Sequence, residues 1–144
     1  MKQIALLMLA FGSPVLAAPQ PTPEQQVRHL YQRITKAVEQ GNVATIRHHI
    51  AEDFIFVESM GGAIKTKTEF LRVAAEANRK YYSGDKLLDR RISSVKVQGQ
   101  IAGVVEIYNM KDGKWYRRTT ITAIFVKKKQ HWQLLAATAS SCAD

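Results

Sequence analysis

Residues 115–138 read WYRRTTITAIFVKKKQHWQLLAAT, and this stretch decides the fold. Its first half is rich in β-branched and aromatic side chains, which favour strands. The polar run at 127–130 then interrupts the pattern before a second apolar segment begins. This order predicts two antiparallel strands, Trp115 to Lys127 and His131 to Thr138, joined by a hairpin connection.

The residues just before this hairpin extend the same pattern. Two further strands are predicted from Leu87 to Gln98 and from Ile101 to Asn109. Short polar connections with a central glycine, QGQ at 98–100 and KDGK at 111–114, separate the strands. The second half of the chain therefore predicts four successive antiparallel strands.

The first half of the chain has mainly helical periodicity. Apolar residues recur at helical spacing between Val27 and Val38, which predicts an amphipathic helix after Pro23. A second short helix is predicted from Val43 to Ile50, after a turn at 41–42. The strand Phe54 to Val57 follows, and the capping-box spacing at 66–69 begins a third helix that runs to about Tyr81. Helices and strands segregated in this way predict an α+β fold.

The N-terminus has the three parts of a secretory signal. Lys2 is followed by an apolar run too short to span a bilayer, and Val15 and Ala17 are small residues before the expected cleavage after Ala17 or Ala18. We divide the chain into a signal peptide at 1–18, a proline-rich tether at 19–23, one domain at 24–139 and a C-terminal tail at 140–144. We expect a periplasmic or secreted protein without a membrane span.

Composition excludes several classes of protein. The chain has 144 residues, a net charge of +9 and a single cysteine, Cys142, so neither an intrachain disulfide scaffold nor a zinc finger can form. The basic residues are dispersed, and export removes the chain from nucleic acid, so we expect no nucleic-acid partner. The four histidines lack metal-site spacing, and no phosphate-binding or dinucleotide-binding motif is present, so we expect neither a metal nor a cofactor.

The element order resembles the SnoaL-like branch of the nuclear-transport-factor-2-like superfamily over nearly all of the mature chain. The segments that carry the resemblance are EQGN at 39–42, IAEDF at 50–54, TAIFVK at 122–127 and HWQL at 131–134. This resemblance implies a cone, in which a curved, mainly antiparallel sheet wraps against three N-terminal helices, as in cystatin-like folds. It also implies an apolar pocket at the open end and a homodimer formed through the sheet.

Glu58 is the first candidate for chemistry, and the alternative is that it simply ends the strand at its solvated rim. Strand alternation places it on the same face as Phe54 and Phe56, and apolar neighbours disfavour a charged carboxylate, which suits a general base. Aligned with the ketosteroid isomerase relatives, Glu58 occupies the position of their proton-abstracting carboxylate. The hydrogen-bonding tyrosine and acid of those enzymes align with Ile34 and Thr122, so their oxyanion hole cannot form. Tyr31, one turn before Ile34, is the remaining candidate donor.

A second set of polar residues lies on one face of the third long strand. Tyr116, Arg118, Thr120 and Thr122 alternate along it, and a guanidinium among hydroxyls suits a carboxylate or another small anion. With this face turned into the cone, these residues would line a ligand pocket together with Phe54 and Phe56. The alternative is that Arg118 is simply solvated.

Three functions follow from these patterns. The first is an exported domain that binds a small, mainly apolar ligand, with or without a negative charge, and has no established catalysis. The second is a lyase or isomerase with Glu58 as the general base and Tyr31 as the donor. The third is a dimeric protein-interaction module of the cell envelope. A fold of this kind does not choose among them.

Overall fold

A computed structural model describes residues 19–58, 62–80, 86–112 and 114–143. The expected signal peptide, residues 1–18, lies outside the described residues. The helices are α1 Pro23–Glu39, α2 Val43–His49 and α3 Lys67–Lys80; the strands are β1 Ile50–Glu58, β2 Ile64–Thr66, β3 Lys86–Gln98, β4 Ile101–Asp112, β5 Trp115–Lys128 and β6 His131–Ala143. Three helices and a six-stranded, mainly antiparallel sheet confirm the predicted α+β fold.

Helix α1 begins with a complete capping box. The Thr22 hydroxyl accepts from the backbone N–H of Gln25, and the Gln25 side chain accepts from the Thr22 backbone N–H. Pro23 occupies the first turn, where its missing N–H costs nothing. The last residue of the predicted tether is therefore helical. The predicted apolar stripe is buried along α1, at Val27, Tyr31, Ile34 and Ala37.

Helix α3 begins at the predicted capping box. The Glu69 carboxylate accepts from the backbone N–H and the hydroxyl of Thr66, at 2.8 and 2.9 Å. These bonds satisfy donors that a helix start leaves unpaired. They fix the turn at which β2 passes into α3.

The strands form one sheet in the order β2-β1-β6-β5-β4-β3. Strands β3 to β6 are an antiparallel meander, as predicted, whereas β1 runs parallel to β6 and antiparallel to β2. The sequence pattern does not predict β2, since three residues are too few to show alternation. The pattern predicts a first strand that begins at Phe54, whereas β1 starts at Ile50.

The prediction of a C-terminal tail at 140–144 is wrong for residues 140–143, which belong to strand β6. Strand β6 continues to Ala143, with Ser140 opposite Thr120 and Ala143 opposite Arg117. The long strand β5 supplies the backbone partners. Small residues such as Ala and Ser carry little strand signal of their own, which is why the extension was not predicted.

Burial separates the two faces of the sheet. On β5 the odd-numbered series Thr119, Ala123 and Phe125 is buried beneath the helices, and we call this the inner face. The even-numbered series points to the outer face. Helices α1 and α3 contact strands of the sheet from the inner side. The largest fully buried side chains, which form the centre of the core, are Phe54, Phe125, Ile46, Ile50, Val27 and Val104.

Among the described residues, no helix combines the length and the apolar character that crossing a membrane requires.

Candidate functional site

A cavity of about 170 Å³ lies between α1, α3 and the inner face of the sheet. Most of its lining is apolar. The lining residues are Tyr31, Ile34, Thr35, Val38, Phe56, Phe70, Arg90, Glu106, Tyr108, Ile121, Ala123, Leu134 and Ala137. We call this cavity the cone pocket.

One side of the cone pocket carries a buried hydrogen bond between a phenol and a carboxylate. The Tyr31 hydroxyl donates to Glu106 Oε2 at 2.9 Å. Tyr31 comes from the buried stripe of α1, and Glu106 from the inward-facing series of β4. Both residues are almost fully buried, so this bond joins the first helix to the middle of the sheet.

Arg90 extends this pair into a chain of charges. It lies on β3 opposite Tyr108, with its Nε 3.3 Å from Glu106 Oε1. A terminal nitrogen of the same guanidinium pairs with the carboxylate of Glu39, at the end of α1. The guanidinium also lies 5.4 Å from the centre of the Tyr108 ring, a cation–π distance. We call Tyr31, Glu39, Arg90 and Glu106 the polar cluster.

Burial shifts the pKa values of the two acidic groups at this site. It raises the pKa of the Glu106 carboxyl, while the Arg90 charge and the Tyr31 hydrogen bond oppose that rise. Burial also raises the pKa of the Tyr31 phenol, and the neighbouring Glu106 charge raises it further. The phenol therefore remains a hydrogen-bond donor, and burial favours the protonated form of Glu106 more than solvent would.

Glu58 lies at the end of β1, outside the lining of the cone pocket. Its carboxylate pairs with the Lys65 ammonium of β2, and its side chain is 40% exposed. Glu58, Ala139, Ile121 and Glu106 occupy one row across β1, β6, β5 and β4. Three strand spacings, about 14 Å, therefore separate Glu58 from Glu106 along the sheet.

The prediction that Tyr116, Arg118, Thr120 and Thr122 line the pocket is wrong. All four lie on the outer face, and none of them borders the cone pocket. Tyr116 and Arg118 are exposed, while Thr120 and Thr122 are half-buried. Alternation along β5 correctly assigns odd-numbered and even-numbered residues to opposite faces of the sheet. The helices cover the face of the odd-numbered residues, and Ile121 and Ala123 of that face line the cone pocket.

The two phenylalanines predicted for the pocket have different positions. Phe56 lines it, and its ring lies 5.3 Å from the ring of Phe70. Phe54 is fully buried beneath the same Phe70 ring and belongs to the core. Of the predicted residues, the structure thus brings Tyr31 and Phe56 to the cone pocket.

Sequence reasoning missed Glu106, the carboxylate that does lie in the pocket. The signal was present, since Ala102, Val104 and Glu106 form one alternating series, in which a carboxylate follows two small apolar residues. Arg90 was also missed, because a pair of arginines near a strand end is typical of a solvated surface.

Other clefts lie at the surface. A cleft of about 620 Å³ between α2 and α3 has four charged side chains among its eight lining residues, and Lys67 pairs there with Glu52 at 2.8 Å. Another, of about 400 Å³, includes His48, His49 and His131. Within the described part of the chain, no three His, Cys, Asp or Glu side chains gather as a metal site would require.

Solved structures similar to this chain share its fold. A nuclear-transport-factor-2-like protein from Cytophaga hutchinsonii has a TM-score of 0.67 at 10% identity, and the alignment covers 85% of this chain and 100% of that chain. One of unknown function in nutrient uptake, from Rhodospirillum rubrum, has a TM-score of 0.63 at 22% identity, covering 81% and 98%. A cystatin-like domain of unknown function from Nostoc punctiforme has a TM-score of 0.63 at 16% identity, covering 79% and 74%.

Comparison with curated proteins returns no match. The model of the SnoaL-like domain family matches residues 27–144, from the first turns of α1 to the end of the chain. This confirms the resemblance seen in the sequence. The chain belongs to the SnoaL-like domain family.

Proposed function

We propose that this protein binds a small, mainly apolar ligand in the cone pocket. The observation that carries the proposal is the apolar cavity of about 170 Å³ with the polar cluster on one side of its lining. Pockets for small molecules combine an apolar wall with a few placed polar groups. A cavity of about 150 Å³ holds a benzene ring, so the cone pocket suits a ligand built on one ring.

The expectation of an anionic ligand depended on Arg118, which lies on the outer face. In the pocket itself, the guanidinium of Arg90 is already in contact with Glu39 and Glu106. Apolar contact is therefore the main source of affinity in this proposal, and the polar cluster orients the ligand.

A pair of neighbouring alanines on β6 provides the test. Ala137 lines the cone pocket, whereas Ala136 lies opposite Ile124 on the outer face. The Ala137→Leu side chain would fill the cavity, and Ala136→Leu adds the same atoms outside it. Toluene titrated into the protein and followed by methyl NMR should shift Ile34 and Ile121 in the wild type and in Ala136→Leu, but not in Ala137→Leu. Equal shifts in the two variants, or none in the wild type, would contradict the proposal.

Acid–base chemistry of the lyase or isomerase type is a second candidate function. The buried Glu106 carboxyl, with its raised pKa, supports it, since enzymes use burial to bring a carboxyl towards neutral pKa. Glu58 is less suited to the role of base, because its side chain is partly exposed and its carboxylate is paired with Lys65. In any reaction found, Glu106→Gln should remove turnover, while Glu58→Gln should retain it.

Apolar side chains on the outer face support a homodimer formed through the sheet. Such a dimer is the form that a protein-interaction module would take. Ile55, Ile64, Ile101 and Tyr116 are all exposed there. Sedimentation at micromolar concentration tests this. Ile124→Glu, at the middle of the outer face, should dissociate the dimer, whereas Gln32→Glu, on the exposed side of α1, should not. A monomeric wild type would contradict it.

Export to the periplasm or medium is also a proposal, and it is supported by the N-terminal pattern of Lys2, a short apolar run and small residues. Cell fractionation and intact-mass measurement provide the test. We expect a mature chain that begins at Ala18 or Pro19 outside the cytoplasm. The full-length chain in the cytoplasmic fraction would contradict export.

A further inference from the structure

Three charged groups determine the electrostatics of the cone pocket. Arg90 and Glu106 belong to its lining, and Glu39 contacts Arg90. Among the described residues that line the pocket, one positive and one negative charge are therefore present. Glu39 brings a second negative charge to the same guanidinium, so the polar cluster sums to −1 when both carboxylates are ionised.

Burial makes this local charge effective. The Glu106 side chain is 4% exposed, and those of Arg90 and Glu39 are 24% and 32% exposed. Solvent screens buried charges much less than surface charges. A ligand in the pocket therefore experiences mainly the charges of the polar cluster.

Hydrogen bonding at the site also favours a donor on the ligand. The Tyr31 hydroxyl already donates to Glu106, so its hydrogen is engaged. An ionised carboxylate has about four lone-pair positions, and most of those of Glu106 remain after this bond. Within the described part of the chain the Nε–H of Arg90 makes no hydrogen bond, but it lies 3.3 Å from Glu106 Oε1. An anion that accepted from Arg90 Nε would therefore sit against the Glu106 carboxylate.

We infer that the cone pocket selects an apolar ligand carrying an amine, or failing that a hydroxyl, and rejects the matching carboxylate. This inference rests on the proposed ligand-binding function. It runs against the charge of the whole chain, which is +9 and attracts anions over a distance. A preference for the amine would consequently reflect the charges of the pocket and not the net charge of the protein surface.

Four probes with one ring test the inference: benzylamine, benzyl alcohol, benzoate and toluene. Their dissociation constants are measured by NMR titration at neutral pH. We expect benzylamine to bind at least tenfold more tightly than benzoate, with benzyl alcohol between them. Benzoate binding as tightly as benzylamine would overturn the selectivity and leave the pocket intact. Failure of all four, toluene included, would overturn the proposed function itself.

Two isosteric variants locate the source of the selectivity. Glu106→Gln removes the carboxylate in the pocket, and Glu58→Gln removes an equal charge outside it. The ratio of benzoate to benzylamine dissociation constants should fall to threefold or less in Glu106→Gln and keep its wild-type value in Glu58→Gln. An unchanged ratio in Glu106→Gln would overturn the inference.

High salt provides a measurement that needs no variant. The preference for benzylamine should persist in 1 M salt, where the Debye length is about 3 Å and surface charges are screened. Loss of the preference would assign it to the surface and overturn the inference.

Discussion

Tyr31 of α1 and Glu106 of β4 are 75 positions apart in the chain, and the phenol donates a 2.9 Å hydrogen bond to the carboxylate. Arg90 then connects the same carboxylate to Glu39 at the C-terminal end of α1. The helix is thus held to the sheet at two points by polar contacts. Tyr31, Arg90 and Glu106 line the cone pocket, so three of the groups that position the helix are also groups that a ligand would meet.

Removing the phenol hydroxyl should destabilise the fold. Tyr31→Phe leaves the buried Glu106 carboxylate without its hydrogen-bond donor, at a cost of about 2 kcal/mol. Urea unfolding followed by circular dichroism measures the change. Tyr116→Phe, which removes the same atom from an exposed ring, should alter the free energy of unfolding by less than about 0.5 kcal/mol. Equal effects of the two changes would contradict a structural role for the bond.

The protonation of Glu106 should make stability depend on pH. Its pKa is raised in the folded state, so above its ordinary value the folded protein binds more protons than the unfolded chain. Stability from this group is therefore complete at low pH and falls as pH rises through the folded pKa. The free energy of unfolding of the wild type, relative to Glu106→Gln, should decrease as pH rises above the ordinary pKa of a glutamate side chain.

Glu52 and Glu69 act in the opposite sense, because hydrogen bonds lower their pKa values in the folded protein. Their contribution is lost as pH falls through those lowered values. Both carboxyls are present in the wild type and in Glu106→Gln, so the comparison cancels them. A difference between the two proteins that rose with pH would contradict the assignment.

Removing Arg90 should cost more than removing its neighbour. Arg90→Ala leaves the carboxylates of Glu39 and Glu106 without the cation that they share, and breaking a largely buried pair costs about 3 kcal/mol. Arg91 is exposed, and its side chain lies on the face of β3 opposite to that of Arg90. Arg91→Ala is therefore a matched control, with an expected change below about 0.5 kcal/mol. Thermal unfolding of both variants makes the comparison. Similar losses would mean that the Arg90 contacts contribute little.

Cys142 should react in the folded protein. The thiol is free and exposed on β6, opposite Arg118 on the outer face. A maleimide should label it in the native monomer at a rate close to that in urea. Dimerisation through the outer face should slow labelling as protein concentration rises, and Ile124→Glu should restore the rate. Slow labelling at all concentrations would contradict the exposed position.

The sequence by itself determined the elements and their order, because their signals are local. The helical stripe of α1, the capping box at Thr66 and Glu69, and the alternation in β3 to β6 each lie within a few residues and predict the observed elements. Strand β2 and the end of β6 are not predicted from the sequence, because three residues, or a run of Ala and Ser, show no clear period.

Only the tertiary structure decided which face of β5 lines the pocket and which acid lies inside it. A period of two assigns Arg118 and Ile121 to opposite faces, but it does not say which face the helices cover. That choice depends on packing α1 and α3 against the whole sheet. The same packing buries Glu106 beside Tyr31 and leaves Glu58 at the solvated end of β1, a difference that no local pattern contains.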